Sequence, residues 1–118
     1  MASTAEPVWE QLQSAQEVPH YPNVTVGWDS SPRTVQSETY DNRRYTWMAV
    51  LHDNTPELFG DALKRAVEHE RSSGHSTKLV TINAWDGWTE GCYLLSDTVY
   101  GLGYFEACAD AKDSARKN

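Results

Sequence analysis

Apolar positions along the chain fall into short runs separated by polar, turn-rich stretches, and the runs switch between helical and strand periods. Residues 5–16 set Val8, Leu12 and Ala15 on one helical face, with Pro7 in the first turn. Pro19 and Pro22 stop that helix, and Val24-Thr25-Val26 follows as a β-branched run closed by Gly27. After Trp28-Asp29 a loop rich in Ser, Thr, Asn and Arg extends to about Tyr45. Loops of that length in compact domains are usually functional or mobile. Trp47-Met48-Ala49-Val50-Leu51 reads as a second buried strand. Thr55, Pro56 and Glu57 then mark a helix start: an N-cap hydroxyl, a ring with φ preset, and an acid at the positive end of the dipole. Leu58, Phe59, Ala62, Leu63, Ala66 and Val67 carry that helix to about Arg71, where Ser72-Ser73-Gly74 ends it, with Gly74 read as the C′ residue. Lys78–Asn83 is the third strand, and a last helix spans about Val99 to Arg116, with Leu102, Phe105, Cys108 and Ala109 toward one side.

The order is helix, strand, long loop, strand, helix, strand, loop, helix, without internal repeats. Strands alternating with helices predict an α/β fold with parallel pairing. In such sheets, sites gather at the C-terminal ends of the strands. Three chemically unusual segments follow the three strands at that edge: Trp28-Asp29, His52-Asp53-Asn54, and Trp85 to Glu90.

Composition narrows the partners. A length of 118 residues fits one domain, 1–118, and the 39% hydrophobic and 23% charged content is that of a globular chain rather than a disordered one. Five Trp and six Tyr are dense for this length, and flat aromatic faces suit pyranose rings; core packing and loop aromatics are the plainer explanation. A net charge of −7 argues against nucleic acid and against an anionic membrane surface. Cys92 and Cys108 have no metal or disulfide spacing and read as small buried thiols. No cofactor or metal site is expected. The polar N-terminus lacks a signal-peptide core and no run is long enough to span a bilayer, so the chain as written reads as cytoplasmic.

Asn83-Ala84-Trp85-Asp86-Gly87-Trp88-Thr89-Glu90-Gly91 carries the most chemistry. Carboxylates framed by indoles are what glycoside hydrolysis requires: one acid protonates the leaving oxygen, a second group serves as base or nucleophile, and rings hold the sugar. Apolar rings also favour the protonated form of a neighbouring acid. A capped βα loop with solvated acids and rim-packed Trp explains the same residues without chemistry. In Gly27-Trp28-Asp29-Ser30-Ser31-Pro32-Arg33 an Asp29–Arg33 pair would orient a hydroxyl or stitch the loop. His52 would bind sugar hydroxyls or act as a base, or else serve structurally, while Asp53-Asn54 fit an Asx turn. His20, His69 and His75 are scattered, with His69 read as exposed.

On these residues the sequence resembles the glycoside hydrolase family 99-like proteins, including the WbsX-type proteins of polysaccharide gene clusters. Their barrels end in a strand running into Asn-Ala-Trp-Asn-Glu-Trp-x-Glu-Gly, matched here by Asn83 to Gly91, then by Tyr93-Leu94, Asp97, Tyr100-Gly101 and Tyr104-Phe105-Glu106-Ala107. Gly27–Arg33 and Asn54-Thr55-Pro56-Glu57-Leu58-Phe59 agree in order, so the likeness covers about residues 22–107. The resemblance implies the C-terminal portion, about three parallel strands with flanking helices, of a TIM-type (β/α)8 barrel with a retaining glycosidase-type site. It implies Glu90 as acid/base, with Asp86 as a substitute partner, and Trp28, Asp29, His52, Asn83, Trp85, Trp88 and Tyr93 around the substrate. The family's other catalytic glutamate falls on Gly87, and a barrel needs eight strands and about 250 residues. Two functions follow: glycosidic bond hydrolysis impaired by Gly87 and by length, or a non-catalytic carbohydrate-binding or structural remnant. The implied partners are an oligo- or polysaccharide and either a missing N-terminal barrel segment or a second copy.

Overall fold

Helix α2 (Pro56–Arg71), the element its sequence marks most clearly, is the scaffold on which the rest packs. The structure is a computed structural model and describes residues 2–15, 17–30, 50–51 and 54–117. Thr55 caps α2 as expected, its hydroxyl accepting from Leu58 N at 3.3 Å. Such a cap contributes about 1 kcal/mol. Pro56, Phe59, Leu63, Ala66 and Glu70 form its buried stripe. Its C-terminus closes through serine rather than glycine: Ser72 stays right-handed at φ −84°, and Ser72 and Ser73 hydroxyls donate to the carbonyls of Glu68, His69 and Glu70. Those donors satisfy the terminal carbonyls, so Gly74 has no left-handed role, and its φ is not positive.

Helix α1 (Ala2–Ala15) and helix α3 (Gly103–Lys117) pack against α2. The contacts on α3 run from Gly103 beside Pro56, through Ala107 beside Gly60, to Ala111 beside the last turns of α2. The two helices therefore point the same way, as helices between parallel strands do. The buried face of α3 differs from the sequence reading. Tyr104 and Ala111 are buried, Cys108 and Phe105 half-buried, and Ala109 and Leu102 exposed. The helix starts at Gly103, not Val99, because Asp97 first closes a turn onto Gly101.

Strands β1 (Asn23–Thr25) and β2 (Thr81–Asn83) pair in parallel, with Val24 opposite Ile82. Val24 and Val26 reach the core formed with Trp9, Phe59, Leu63, Ala66, Leu94 and Tyr104. β2 is covered less fully than its apolar sequence suggests: Thr81 is exposed and Ile82 half-buried. Of the expected strand at residues 47–51, residues 47–49 lie outside the described residues, and Leu51 makes a single antiparallel bridge to Trp28. Beyond β2, where sequence suggests only a loop, a two-residue hairpin forms from β3 (Asp86–Gly87) and β4 (Cys92–Tyr93). A 3₁₀ turn, Trp88–Glu90, connects them. His69, read as exposed, is half-buried with its ring 5.4 Å from Trp9.

Candidate carbohydrate site

The C-terminal ends of β1 and β2 are tied together by backbone. Val26 N donates to Asn83 O at 2.8 Å, and Asp29 N donates to Glu90 O at 2.6 Å. Leu51 N donates to Trp28 O at 2.8 Å, so Trp28-Asp29 and the Asn83–Glu90 segment converge at this edge and Leu51 joins them there. Two glycines permit the approach. Gly91 turns left-handed at φ +59°, and a Cβ there would sit 3.2 Å from Asp29 Cβ. At Gly27 a Cβ would stand 2.6 Å from the Asn54 amide and 2.7 Å from Gly91 O.

On this frame the aromatic rings form a train from surface to core. Trp88, 49% exposed, stacks on Tyr93 with centroids 4.4 Å apart and planes at 28°. Tyr93 meets Tyr104 edge-on, and Tyr104 in turn meets Phe59 in the core. Trp85, 58% exposed, stands edge-on to Phe105 at the start of α3. Near-parallel stacking of an exposed indole on a tyrosine fixes the outer ring as a flat apolar platform. Tyr104, which stands in the family match but not among the candidate site residues, is central to the train. Its hydroxyl donates to Asn54 O at 2.8 Å and so anchors the residues that follow His52-Asp53. Burial pushes its phenol up to about 12, so it serves as a neutral donor. A Tyr next to an Asn-Thr-Pro helix start carries no sequence signal for that bond, because 50 residues separate the partners.

The candidate residues are distributed around these rings. Glu90 is half-buried in the 3₁₀ turn, and Asp86 is exposed on β3, opposite Tyr93 in register. Trp28 and Asp29 are half-buried, as is Asn83 at the end of β2, where the peptide bond to Ala84 is cis. The Tyr93 hydroxyl donates to Asp97 Oδ2 at 2.9 Å, and burial together with that carboxylate raises its pKa. Asp97 also accepts from Val99 N at 3.0 Å and Tyr100 N at 2.6 Å. The Tyr100 N–H contributes most to holding the Asp97 carboxyl below its ordinary value. His52, Asp53 and Arg33 lie outside the described residues.

Gly87 stands where the resemblance would place a glutamate, and its surroundings leave no space for a side chain. A Cβ at Gly87 would lie 2.6 Å from Cys92 Sγ and 2.7 Å from Cys92 O. The second contact is backbone, so no rotamer relieves it. Burial and then the Glu90 charge push the Cys92 thiol up, and the Asn83 side-chain hydrogen bond only partly offsets this. Cys92 is thus a neutral filler beside Glu90, as is Cys108 within α3, whose pKa burial also raises. Among the described residues, no group of three His, Cys, Asp or Glu side chains could hold a metal ion. No described helix is long and apolar enough to cross a membrane. A groove of about 220 Å³ between the far ends of α2 and α3, lined by Lys64, Glu68, Arg71 and Ala111 among others, has no aromatic wall.

The chain is 35% identical over 92 residues to the uncharacterized protein WxcX of Xanthomonas campestris pv. campestris strain B100. The same figures hold for WxcX of strain ATCC 33913. The match takes in 77% of this chain and 12% of each relative, so the chain spans a small part of their length. No solved structure matches it. The family model described as Glycosyltransferase WbsX matches residues 3–108, including every segment of the site. With that match covering most of its 118 residues, the chain belongs to the carbohydrate-related WbsX glycosyltransferase family.

Proposed function

We propose that the chain supplies the aromatic platform and the proton-transferring carboxylate, Glu90, of a site for glycosidic bond chemistry, set at the mouth of a TIM-type (β/α)8 barrel of which it forms the C-terminal portion. The observation that carries this reading is the half-exposed Trp88–Tyr93 stack flanking Glu90 at the C-terminal edge of parallel strands. A pyranose lying on Trp88 would bring a glycosidic oxygen toward Glu90. The acid donates its proton to the leaving oxygen, and the resulting carboxylate then accepts one from the attacking hydroxyl, that of water in hydrolysis or of an acceptor sugar in transfer. Two-carboxylate hydrolysis of the retaining kind also needs a group at residue 87, where Cys92 leaves no room. Asp86 is the adjacent acid, and its exposure keeps it available to a substrate.

The collision at Gly87 favours a second reading, a carbohydrate-binding site without turnover. Titrating the chain with oligosaccharides while following tryptophan emission, then repeating with Trp88→Ala and Glu90→Gln, separates the readings. Proton-transfer catalysis predicts that Glu90→Gln binds sugar but loses roughly 10²–10⁴-fold in cleavage or transfer. Binding without turnover in the unaltered chain supports the second reading. A sugar-independent emission signal would remove both.

A further inference from the structure

At the opposite end of the sheet, a second group of polar side chains is buried with none of the openness of the aromatic edge. Glu70, in the last turn of α2, is 2% exposed. Its Oε1 lies 2.9 Å from Nδ1 of His75, in the loop that leads to β2, and accepts a longer bond from Leu79 N at 3.4 Å. Its Oε2 has no hydrogen-bond partner among the described residues. The other ring nitrogen, His75 Nε2, lies 2.8 Å from Oε1 of Gln13 on α1. That same Gln13 oxygen accepts from the backbone N–H of His20 at 2.9 Å.

These contacts constrain where protons sit. A backbone N–H can only donate, so the Gln13 atom facing His20 is the amide oxygen, and an amide oxygen can only accept. His75 Nε2 must therefore donate. Nδ1 faces a Glu70 oxygen that also accepts from Leu79 N, and with that carboxyl ionised Nδ1 donates as well. An imidazole that donates from both nitrogens is an imidazolium. Its charge offsets that of Glu70, which would otherwise be buried uncompensated at a cost of several kcal/mol. Among the described residues, Glu70 is the only ion-pair partner of His75. Tyr21 packs its ring 4.6 Å from that of His75. His69 turns to Trp9, Arg71 is exposed, and Lys78 is occupied by the Ser73 carbonyl at 2.7 Å and its hydroxyl at 3.2 Å. His20 approaches through its backbone.

We propose that His75 is a proton-operated latch: as an imidazolium it joins buried Glu70 to Gln13 and fastens α1 to the corner between α2 and β2. Loss of the proton leaves one ring N–H for two acceptors, so a bare ring nitrogen faces an oxygen, and α1 is released. The latch is closed while the ring holds its second proton and opens when that proton is lost. None of this depends on what the aromatic edge binds.

Long-range ¹H–¹⁵N spectra of the histidine rings in the 118-residue chain test the charge state directly. Both His75 nitrogens are expected to carry protons whenever α1 is docked; a bare ring nitrogen with α1 docked would overturn the proposal. Hydrogen exchange of the α1 amides, corrected for intrinsic rates, tests the release. Protection should fall roughly tenfold or more as alkali removes the second ring proton, the worth of a charge-assisted bond. His75→Gln should remove that dependence, and its persistence would refute the latch. Gln13→Leu keeps the Glu70–His75 pair and strips only the α1 acceptor. It should release α1 while α2 and α3 keep their protection, and an α1 as protected as before would overturn the latch.

Discussion

The two ends of the molecule use the same residue types to opposite ends. Trp9 is 9% exposed and packed on His69, whereas Trp88 is 49% exposed and stacked on Tyr93. Glu70 is 2% exposed with a histidine partner, whereas Glu90 is half-buried beside a thiol whose pKa its charge helps to raise. At one end aromatic and acidic groups are consumed by packing and internal pairing. At the other they are held in place by backbone contacts and left open to a ligand. Residue type alone therefore does not identify a site; the exposure that backbone geometry enforces does.

The sharpest way to break this contrast is to truncate one ring at each end of the aromatic train. Phe59→Ala removes a core ring that meets Tyr104 at 5.7 Å, and denaturant unfolding should show a loss of about 3–5 kcal/mol. Trp88→Ala removes a surface ring and should change stability by less than about 1 kcal/mol, as surface substitutions usually do, while abolishing sugar-dependent fluorescence changes. Equal losses of stability would mean that Trp88 is part of the core and that the platform is structural.

A smaller effect is expected at Gly87. Adding one methyl, Gly87→Ala, meets Cys92 Sγ and Cys92 O and should destabilise the chain by about 1–3 kcal/mol. Gly87→Glu should be at least as costly rather than restorative. A well-folded Gly87→Glu protein would show that the β3–β4 hairpin yields, and would reopen two-carboxylate chemistry. The cysteine can be tested alongside it. Cys92→Ala relieves the Sγ contact but not the one to the carbonyl, so it should rescue Gly87→Ala only in part.

What could be read from sequence follows from how far apart the cooperating residues lie. The start of α2 needs only Thr55, Pro56 and Glu57 in a row, and the structure has it there. The parallel pairing of β1 with β2 followed from the alternation of strands and helices. The convergence of Trp28-Asp29 with Asn83–Gly91 followed from both segments leaving strand ends on the same edge. The Glu70–His75–Gln13 corner was not legible, since Gln13 and His75 are 62 residues apart and neither stands in a motif. Sequence misphases the face of α3 because apolar Leu102 reads as helical and buried, while Tyr104, with its polar tip, does not. In the structure Leu102 is 57% exposed, and the Tyr104 hydroxyl is satisfied by Asn54, which lets the ring go inward.

The turn that set that phase gives the smallest and most local test. Asp97 accepts from Val99 N, Tyr100 N and the Tyr93 hydroxyl, and so joins the hairpin's outer ring to the entry of α3. Its carboxyl lies below the ordinary value of 3.8 in the folded chain. A depressed native value means that the unfolded chain binds the proton first on acidification. The contribution is complete above the unfolded value and is lost as pH falls through the folded one. Asp97→Ala should destabilise by about 1 kcal/mol at neutral pH, the net worth of such bonds at an exposed turn. It should also flatten the decline in stability below pH 4 and loosen Trp88 by freeing Tyr93. Asp97→Asn keeps Oδ1 as the acceptor for both backbone N–H groups, loses Oδ2 as the acceptor for Tyr93, and should fall between the unaltered chain and Asp97→Ala. If it matched Asp97→Ala instead, the charge on Asp97 rather than its geometry would hold the platform ring, and the open end of the molecule would be as dependent on an ionised acid as the closed one.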